Sequence, residues 1–274
     1  SGSAHNGISI SDGGLDEVSK NTLVVQYNNA EELEHTLKKN RDIAGVIVEP
    51  ILANMGLILP ENNFLADIRK ITQEHDVPLI FDEVVTGFRV SAGGAQKHFG
   101  IRPDITTLGK ALGNGFTIAA VGGRKEIMNL LSPEGKVYQA STFAGNPISV
   151  TAAINSVKTI NKLKKKMYSK LEKYNLLFTK ALDDLASDMS IPHQINSTSS
   201  MFQIFFTNNP VIDYTTSKKA DAKKFQKLFK TLLKHGIFIA PSQFEVVFFS
   251  EAHSQTDLNK ALDTYELALK SVKN

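Results

Sequence analysis

The sequence predicts an α/β fold: a partial, mostly parallel sheet followed by a small C-terminal α+β domain. Three observations predict it. An apolar run ending at Phe81 stops abruptly at Asp82-Glu83, the form of a buried parallel strand that delivers a carboxylate to the carboxyl edge of its sheet. A second short strand, Ile105 to Leu108, ends in Gly109-Lys110 and brings an amine, 28 positions after Asp82, to the edge where open α/β sheets bind their ligands. Between and around these runs, strand-like and helix-like patterns alternate, the rhythm of a parallel α/β sheet.

Taken in order, Ser1 to Lys20 is rich in Ser, Gly and Asp and reads as loop. Asn21 to Tyr27 is a short β-type run. Ala30 to Lys39 is a helix with Leu33 and Leu37 on one face. Ala44 to Val48 is an apolar strand, and Ile51 to Glu61 a loop at the carboxyl edge carrying Asn54, Met55 and Gly56. Phe64, Leu65, Ile68 and Ile71 stripe a helix from Asn63 to Asp76, which feeds the strand ending at Asp82. Gln96 to Phe99 is a helical turn, Ile118 to Val121 a strand closed by Gly122-Gly123, and Val137 to Ser141 another strand. Asn146-Pro147 supplies an N-cap and a proline at the first helical position for a helix running to about Ala186. Beyond it lie a strand from Met201 to Phe206, a helix from Ala220 to His235 stopped by Gly236, and short strands at Ile237–Ala240 and Val246–Phe249. Ser254 and Asp257 form a capping box for a last helix ending near Val272. The domain boundary is expected within the long helix, dividing residues 1–165 from 166–274.

Composition narrows the classes of function. With 274 residues the chain can bury a sizeable core, and 42% hydrophobic with 22% charged residues is ordinary globular composition. A net charge of +3, carried mainly by lysine because only five arginines occur, does not argue for nucleic acid. The lysine cluster Lys162, Lys164, Lys165, Lys166 and Lys170 lacks interleaved aromatics or arginines and reads as a solvated helix face. No cysteine is present, and none of the seven histidines forms an HxxxH pair, which leaves thiolate chemistry excluded and a metal site unsupported. No apolar run approaches the roughly 20 residues that span a bilayer, and the expectation is a soluble, cytoplasmic protein.

The candidate chemistry lies at the strand ends. A lysine there can form a Schiff base with an aldehyde, and an aspartate facing a pyridine nitrogen keeps it protonated so that the ring can accept electrons. On these two residues alone the commoner reading is a solvated or paired surface Asp and Lys. Gly109 to Gly115 lacks the Walker spacing, so it does not read as a nucleotide loop. Thr142, in a Ser-Thr-Phe-Ala-Gly turn before a helix, could hold a phosphate or simply cap the helix. Asp82 and Glu83, as strand neighbours, face opposite ways and do not form a pair acting on one bond.

Taken together, Asp82-Glu83-Val84-Val85-Thr86-Gly87-Phe88-Arg89, Gly93-Gly94-Ala95-Gln96, Pro103 to Lys110, Gly122-Gly123-Arg124 and Gln139 to Pro147 resemble the class-III pyridoxal phosphate aminotransferases. The resemblance covers essentially the whole chain. It implies an aspartate aminotransferase-like transferase of fold type I, with residues 1–165 the C-terminal part of the cofactor-binding large domain. It implies pyridoxal 5'-phosphate or its pyridoxamine form as cofactor, Lys110 as Schiff-base lysine and proton shuttle, Asp82 at the pyridine nitrogen and Val84 on a ring face. Asn54 approaches cofactor and substrate, and Thr142 meets the phosphate of a neighbouring subunit's cofactor, which implies a homodimer with shared sites.

Within the family the likeness is to its aminomutase branch, which converts the small molecule glutamate 1-semialdehyde to 5-aminolevulinate for tetrapyrrole synthesis. The sequence gives this choice a physical handle. No arginine follows Arg124 to clamp a substrate carboxylate, and Glu245, in Ala240-Pro241-Ser242-Gln243-Phe244-Glu245, disfavours a carboxylate and welcomes an amine. An ω-aminotransferase and a non-catalytic partner subunit are the alternatives. Asn114-Gly115-Phe116-Thr117 departs from the family's usual Gly-Gly-Met-Pro. The family's N-terminal phosphate loop and ring-stacking aromatic find no counterpart, so the expectation is a fragment inactive by itself, with residues 1 to 20 the remnant of an active-site loop.

Overall fold

A computed structural model describes residues 20–273. The loop expected for Ser1 to Lys20 lies outside them apart from Lys20. The chain divides into two compact units, each built from discontinuous segments. The sheet unit takes Arg41–Ile51 and Leu65–Leu171, and the small unit takes the described part of Ser1–Asn40, Leu52–Phe64 and Glu172–Asn274.

In the sheet unit, β1 (Val46–Val48), β2 (Leu79–Glu83), β3 (Ile105–Leu108) and β4 (Ala120–Gly123) lie in that order, the first three parallel and β4 antiparallel. Helix α2 (Phe64–Glu74) precedes β2 and buries Leu65, Ile68 and Ile71, the predicted stripe; helix α3 (Gly94–Phe99) lies between β2 and β3. The β2 pattern is buried at Leu79, Phe81 and Glu83 and half-buried between, so one face of the strand is fully covered. Asp104, immediately before β3, ties the unit together. Its carboxylate accepts from the guanidinium of Arg69 on α2, from the Leu79 N–H at 2.9 Å and from Arg124 Nη1 at 3.1 Å. Burial alone would push this group up, but the donors from Arg69, Leu79 and Arg124 outweigh it and hold the pKa down at about 2.

Two expectations in this unit need correction. Gly122 and Gly123 do not close a strand; they lie inside β4, recruited by pairing with Thr106 and Ile105 rather than by propensity. Val137 to Ser141 forms no strand, because among the described residues Val137 finds only an isolated bridge to Leu131, and β-prone residues without a partner strand stay irregular. A short helix, α4 (Lys125–Met128), follows β4. Helix α5 (Pro147–Asp188) then runs for 42 residues, capped by Asn146 Oδ1, which accepts from the N–H groups of Ile148 at 3.0 Å and Ser149 at 3.2 Å. The end of α5 belongs to the small unit.

The small unit opens with α1 (Ala30–Lys39), burying Leu33 and Leu37 as the spacing predicts. Its sheet is antiparallel, with β5 (Gln194–Thr198), β6 (Met201–Phe205) and β7 (Val247–Phe248) in order. Phe178, Phe202, Phe249 and Tyr265 form an aromatic core with ring centroids 5.2 to 6.3 Å apart. Helices α6 (Tyr214–Lys218), α7 (Ala222–Lys234) and α8 (Gln255–Lys273) complete it, and Ser254 and Asp257 make the reciprocal capping bonds expected from their spacing. Asn21 to Tyr27 and Ile237 to Ala240 are irregular rather than β. Asn28, at φ 65°, follows the first of these, and its amide donates to the carbonyls of Leu59 at 3.1 Å and Ile212 at 2.9 Å. A turn tied to two neighbouring loops replaces strand pairing there.

Candidate active site

At the carboxyl ends of neighbouring parallel strands stand the two residues singled out by the sequence. Asp82 is the penultimate residue of β2 and lies opposite Thr107 of β3; Lys110 follows β3 by two residues. Two donors fix the Asp82 carboxylate at one oxygen. Thr107 Oγ1 donates to Oδ1 at 3.0 Å, and the Val84 N–H donates to the same oxygen at 3.1 Å. Lys110 is exposed, opens a 3₁₀ turn (Lys110–Leu112) and adopts φ 42°, a left-handed conformation that a lysine enters at a cost of order 1–2 kcal/mol. Such local strain concentrates at functional positions.

Glu83 does different work. It is fully buried, and its carboxylate accepts from Thr86 Oγ1 at 3.0 Å, from Gln96 N–H at 3.2 Å, from Gln96 Nε2 at 3.0 Å and from the Ala95 N–H. The donors come from the loop after β2 and from the first residues of α3, so Glu83 anchors that loop on the sheet face opposite Asp82. Gly94 is required here: at φ 68° a Cβ would stand 2.3 Å from Glu83 Oε2. Val84 is half-buried beside this anchor and next to Gly109, where a Cβ would meet Val84 Cγ1 at 3.4 Å in ordinary van der Waals contact. Farther along the loop, Tyr168 of α5 donates its hydroxyl to the Phe88 carbonyl at 2.7 Å. Burial raises the Tyr168 phenol to about 12 against the opposing charge of Arg89, and burial lowers the Arg89 guanidinium.

Thr142 stands exposed in the turn preceding α5. In the small unit, the loops that carry Asn54 and Glu245 are joined directly: the Gly56 N–H donates to the Phe244 carbonyl at 2.7 Å. Gln243 is buried beneath that junction, with Nε2 donating to the Ser217 carbonyl at 3.2 Å, while its backbone carbonyl accepts from Gln203 Nε2 at 2.6 Å. Gly56, at φ 78°, admits no side chain, since a Cβ would lie 2.3 Å from Phe205 Cζ. Asn54 is half-buried and Glu245 exposed. The structure thus brings together Asp82, Val84 and Lys110 in the sheet unit, and the loops of Asn54 and Glu245 in the other. Sequence reasoning missed Thr107 and the Gln203–Gln243 pair. The Thr106-Thr107 doublet at a strand end was the available signal for the first; the second had none, because glutamines far apart in sequence announce no contact.

Comparison with known proteins shows the family and the fold. The chain matches the aminotransferase class-III family over residues 8–269. It is 80% identical over its full length to a glutamate-1-semialdehyde 2,1-aminomutase of Nitrosopumilus maritimus (strain SCM1), of which it covers 65%. An omega-transaminase from Sphaerobacter thermophilus superposes with a TM-score of 0.89 at 26% identity, over 97% of this chain and 61% of that one. A glutamate-1-semialdehyde-aminomutase from Pseudomonas aeruginosa PAO1, solved in complex with PMP, shares the fold with a TM-score of 0.80 at 21% identity, over 90% of this chain and 56% of that one. The fold is that of the pyridoxal-phosphate-dependent transferases, as the sequence leads one to expect. Within that class, the chain belongs to the class-III aminotransferase family. It spans slightly less than two thirds of the length of the curated relatives it matches.

Proposed function

We propose that this chain carries the lysine and aspartate of a pyridoxal-phosphate-dependent aminomutase that converts glutamate 1-semialdehyde to 5-aminolevulinate, a step of tetrapyrrole synthesis. The observation that carries the reading is the placement of Asp82 and Lys110 at the ends of adjacent parallel strands. The cofactor fits that donor set: an exposed amine for its aldehyde carbon and an oriented carboxylate for its ring nitrogen. When bound, the cofactor supplies an electron sink and a carrier for the amino group.

The chain's own residues divide the remaining work. Lys110 Nζ would hold the cofactor at its aldehyde carbon, the carbonyl oxygen leaving as water, and once released would take and return the proton at the substrate carbon. The Asp82 carboxylate would accept from the ring N–H and favour its protonated form. Val84 would cover one ring face, and Asn54 would contact cofactor and substrate. Glu245 draws the substrate's ammonium and repels a second carboxylate. Thr142 serves the cofactor phosphate of a second subunit in a homodimer with shared sites. The apolar exposure around it, 82% at Tyr138, 69% at Phe143 and 65% at Ile148, supports a covered surface there.

The absence of any arginine after Arg124 favours the mutase over an ω-aminotransferase. A chimera in which this chain replaces the matching part of the 80%-identical Nitrosopumilus relative separates the two. The expected outcome is 5-aminolevulinate from glutamate 1-semialdehyde with no keto acid added, lost by at least a thousandfold, on the order seen when a catalytic group is removed, in Lys110→Ala. Turnover only after a keto acid is supplied would establish a transaminase.

A further inference from the structure

We infer that Thr107 is a positioning residue for Asp82: its hydroxyl sets the orientation of the carboxylate on which the cofactor's ring nitrogen would rest. The inference rests on the reading of Asp82 and Lys110 as a cofactor pair.

Thr107 lies directly opposite Asp82 in the parallel pairing of β2 with β3, and its Oγ1 donates to Asp82 Oδ1 at 3.0 Å. An aspartate at a strand end has two side-chain torsions to lose. The Val84 N–H at 3.1 Å engages the same oxygen, so the two donors together fix both the rotamer and the plane of the carboxylate. Thr107 is well suited to this work because β-branching leaves its own χ1 stiff, and the donor stays aimed without help from a further partner. The neighbouring Thr106 has the same chemistry on the other face of β3. Its Oγ1 accepts from Gln96 Nε2 at 3.3 Å, and Gln96 in turn engages Glu83. The doublet therefore sorts two adjacent carboxylates into two roles, with Thr107 serving the one at the site and Thr106 the buried anchor.

This arrangement supplies its own control. Pyridoxal phosphate is titrated into the chimera of this chain with its 80%-identical relative and into its Thr107→Val, Thr107→Ser and Thr106→Val variants, and the visible band that disappears in Lys110→Ala is followed. Thr107→Val keeps the shape and removes the donor. It is expected to weaken binding about tenfold, the loss of one hydrogen bond to a charged group, and to displace the band, because the ring nitrogen then meets a misaligned carboxylate. Thr107→Ser restores the donor and is expected to return affinity and band to near the wild-type values. Thr106→Val is expected to bind as wild type while melting at a lower temperature. Thr107→Ala, which adds no bulk, provides the same reading if the valine variant does not fold. A wild-type band that Thr107→Val and Thr107→Ala leave unmoved overturns the inference alone. A chimera with wild-type Thr107 that shows no Lys110-dependent band overturns the cofactor reading and the inference with it.

Discussion

Asp104 collects donors from Arg69, Leu79 and Arg124 although it is only 3% exposed, and the consequence is a definite pH dependence. Its pKa is lowered from 3.8 to about 2 in the folded protein, so the stabilisation is fully present above pH 3.8 and disappears as the pH falls through 2. A shift of that size corresponds to roughly 2 kcal/mol. Urea unfolding at pH 7 should find Asp104→Asn less stable by at least this amount, with the gap to wild type narrowing once the pH drops below the ordinary carboxylate range. A gap that is the same at pH 3 and pH 7 would remove the ionised carboxylate from the explanation. Asp82 and Lys110 were legible as candidates because a strand end announces itself by an apolar run stopping at a polar residue. Their hydrogen-bonding environment was not, since Thr107 reaches Asp82 through strand pairing across 25 positions of sequence.

Helices with a clear 3.6-residue stripe, such as α1 and α2, were legible to within a residue or two of their ends. Strands were legible where an apolar run is buried, as in β2, and β3, half-buried and half threonine, was legible from its apolar ends and the Gly109-Lys110 that follow it. They were misjudged where pairing rather than composition decides: the glycines of β4 are strand because β3 lies beside them, and Val137 to Ser141 is not strand for want of a neighbour. The polar β5 went unread for the same reason, being strand by virtue of pairing with β6. At this scale Glu83 is the most exacting residue, because one buried carboxylate orders both the loop after β2 and the start of α3. Glu83→Gln places an amide NH₂ against the N–H of either Ala95 or Gln96, whichever way it turns. It should cost about 3 kcal/mol, read as a lower denaturation midpoint with a sharp transition retained. It should also raise hydrogen exchange at Ala95 and Gln96 above that elsewhere in the sheet unit.

The molecule as a whole is partitioned in a way the sequence did not suggest. A single division within the long helix was expected, whereas each compact unit draws on separated segments of chain. In the small unit Met55 and Ile58 form one buried cluster with Phe205, Val211 and Ala220, with Tyr27 packed against it. That core cannot be completed by the C-terminal segment alone. A fragment of residues 166–274 is expected to be expanded and to show a broad, weakly cooperative unfolding transition, and residues 20–64 added as a separate peptide should sharpen it; a cooperative fragment without the peptide would refute this. The loop that must close between the two segments exceeds a hundred residues, and closure of long-range contacts is slow relative to local helix formation. During synthesis α1 and the Asn54 loop leave the ribosome before β6, and the apolar side chains Met55 and Ile58 must wait until β6 and the helices after it have emerged. The small unit therefore cannot complete its core until the C-terminal segment is available, so it is expected to fold after the sheet unit.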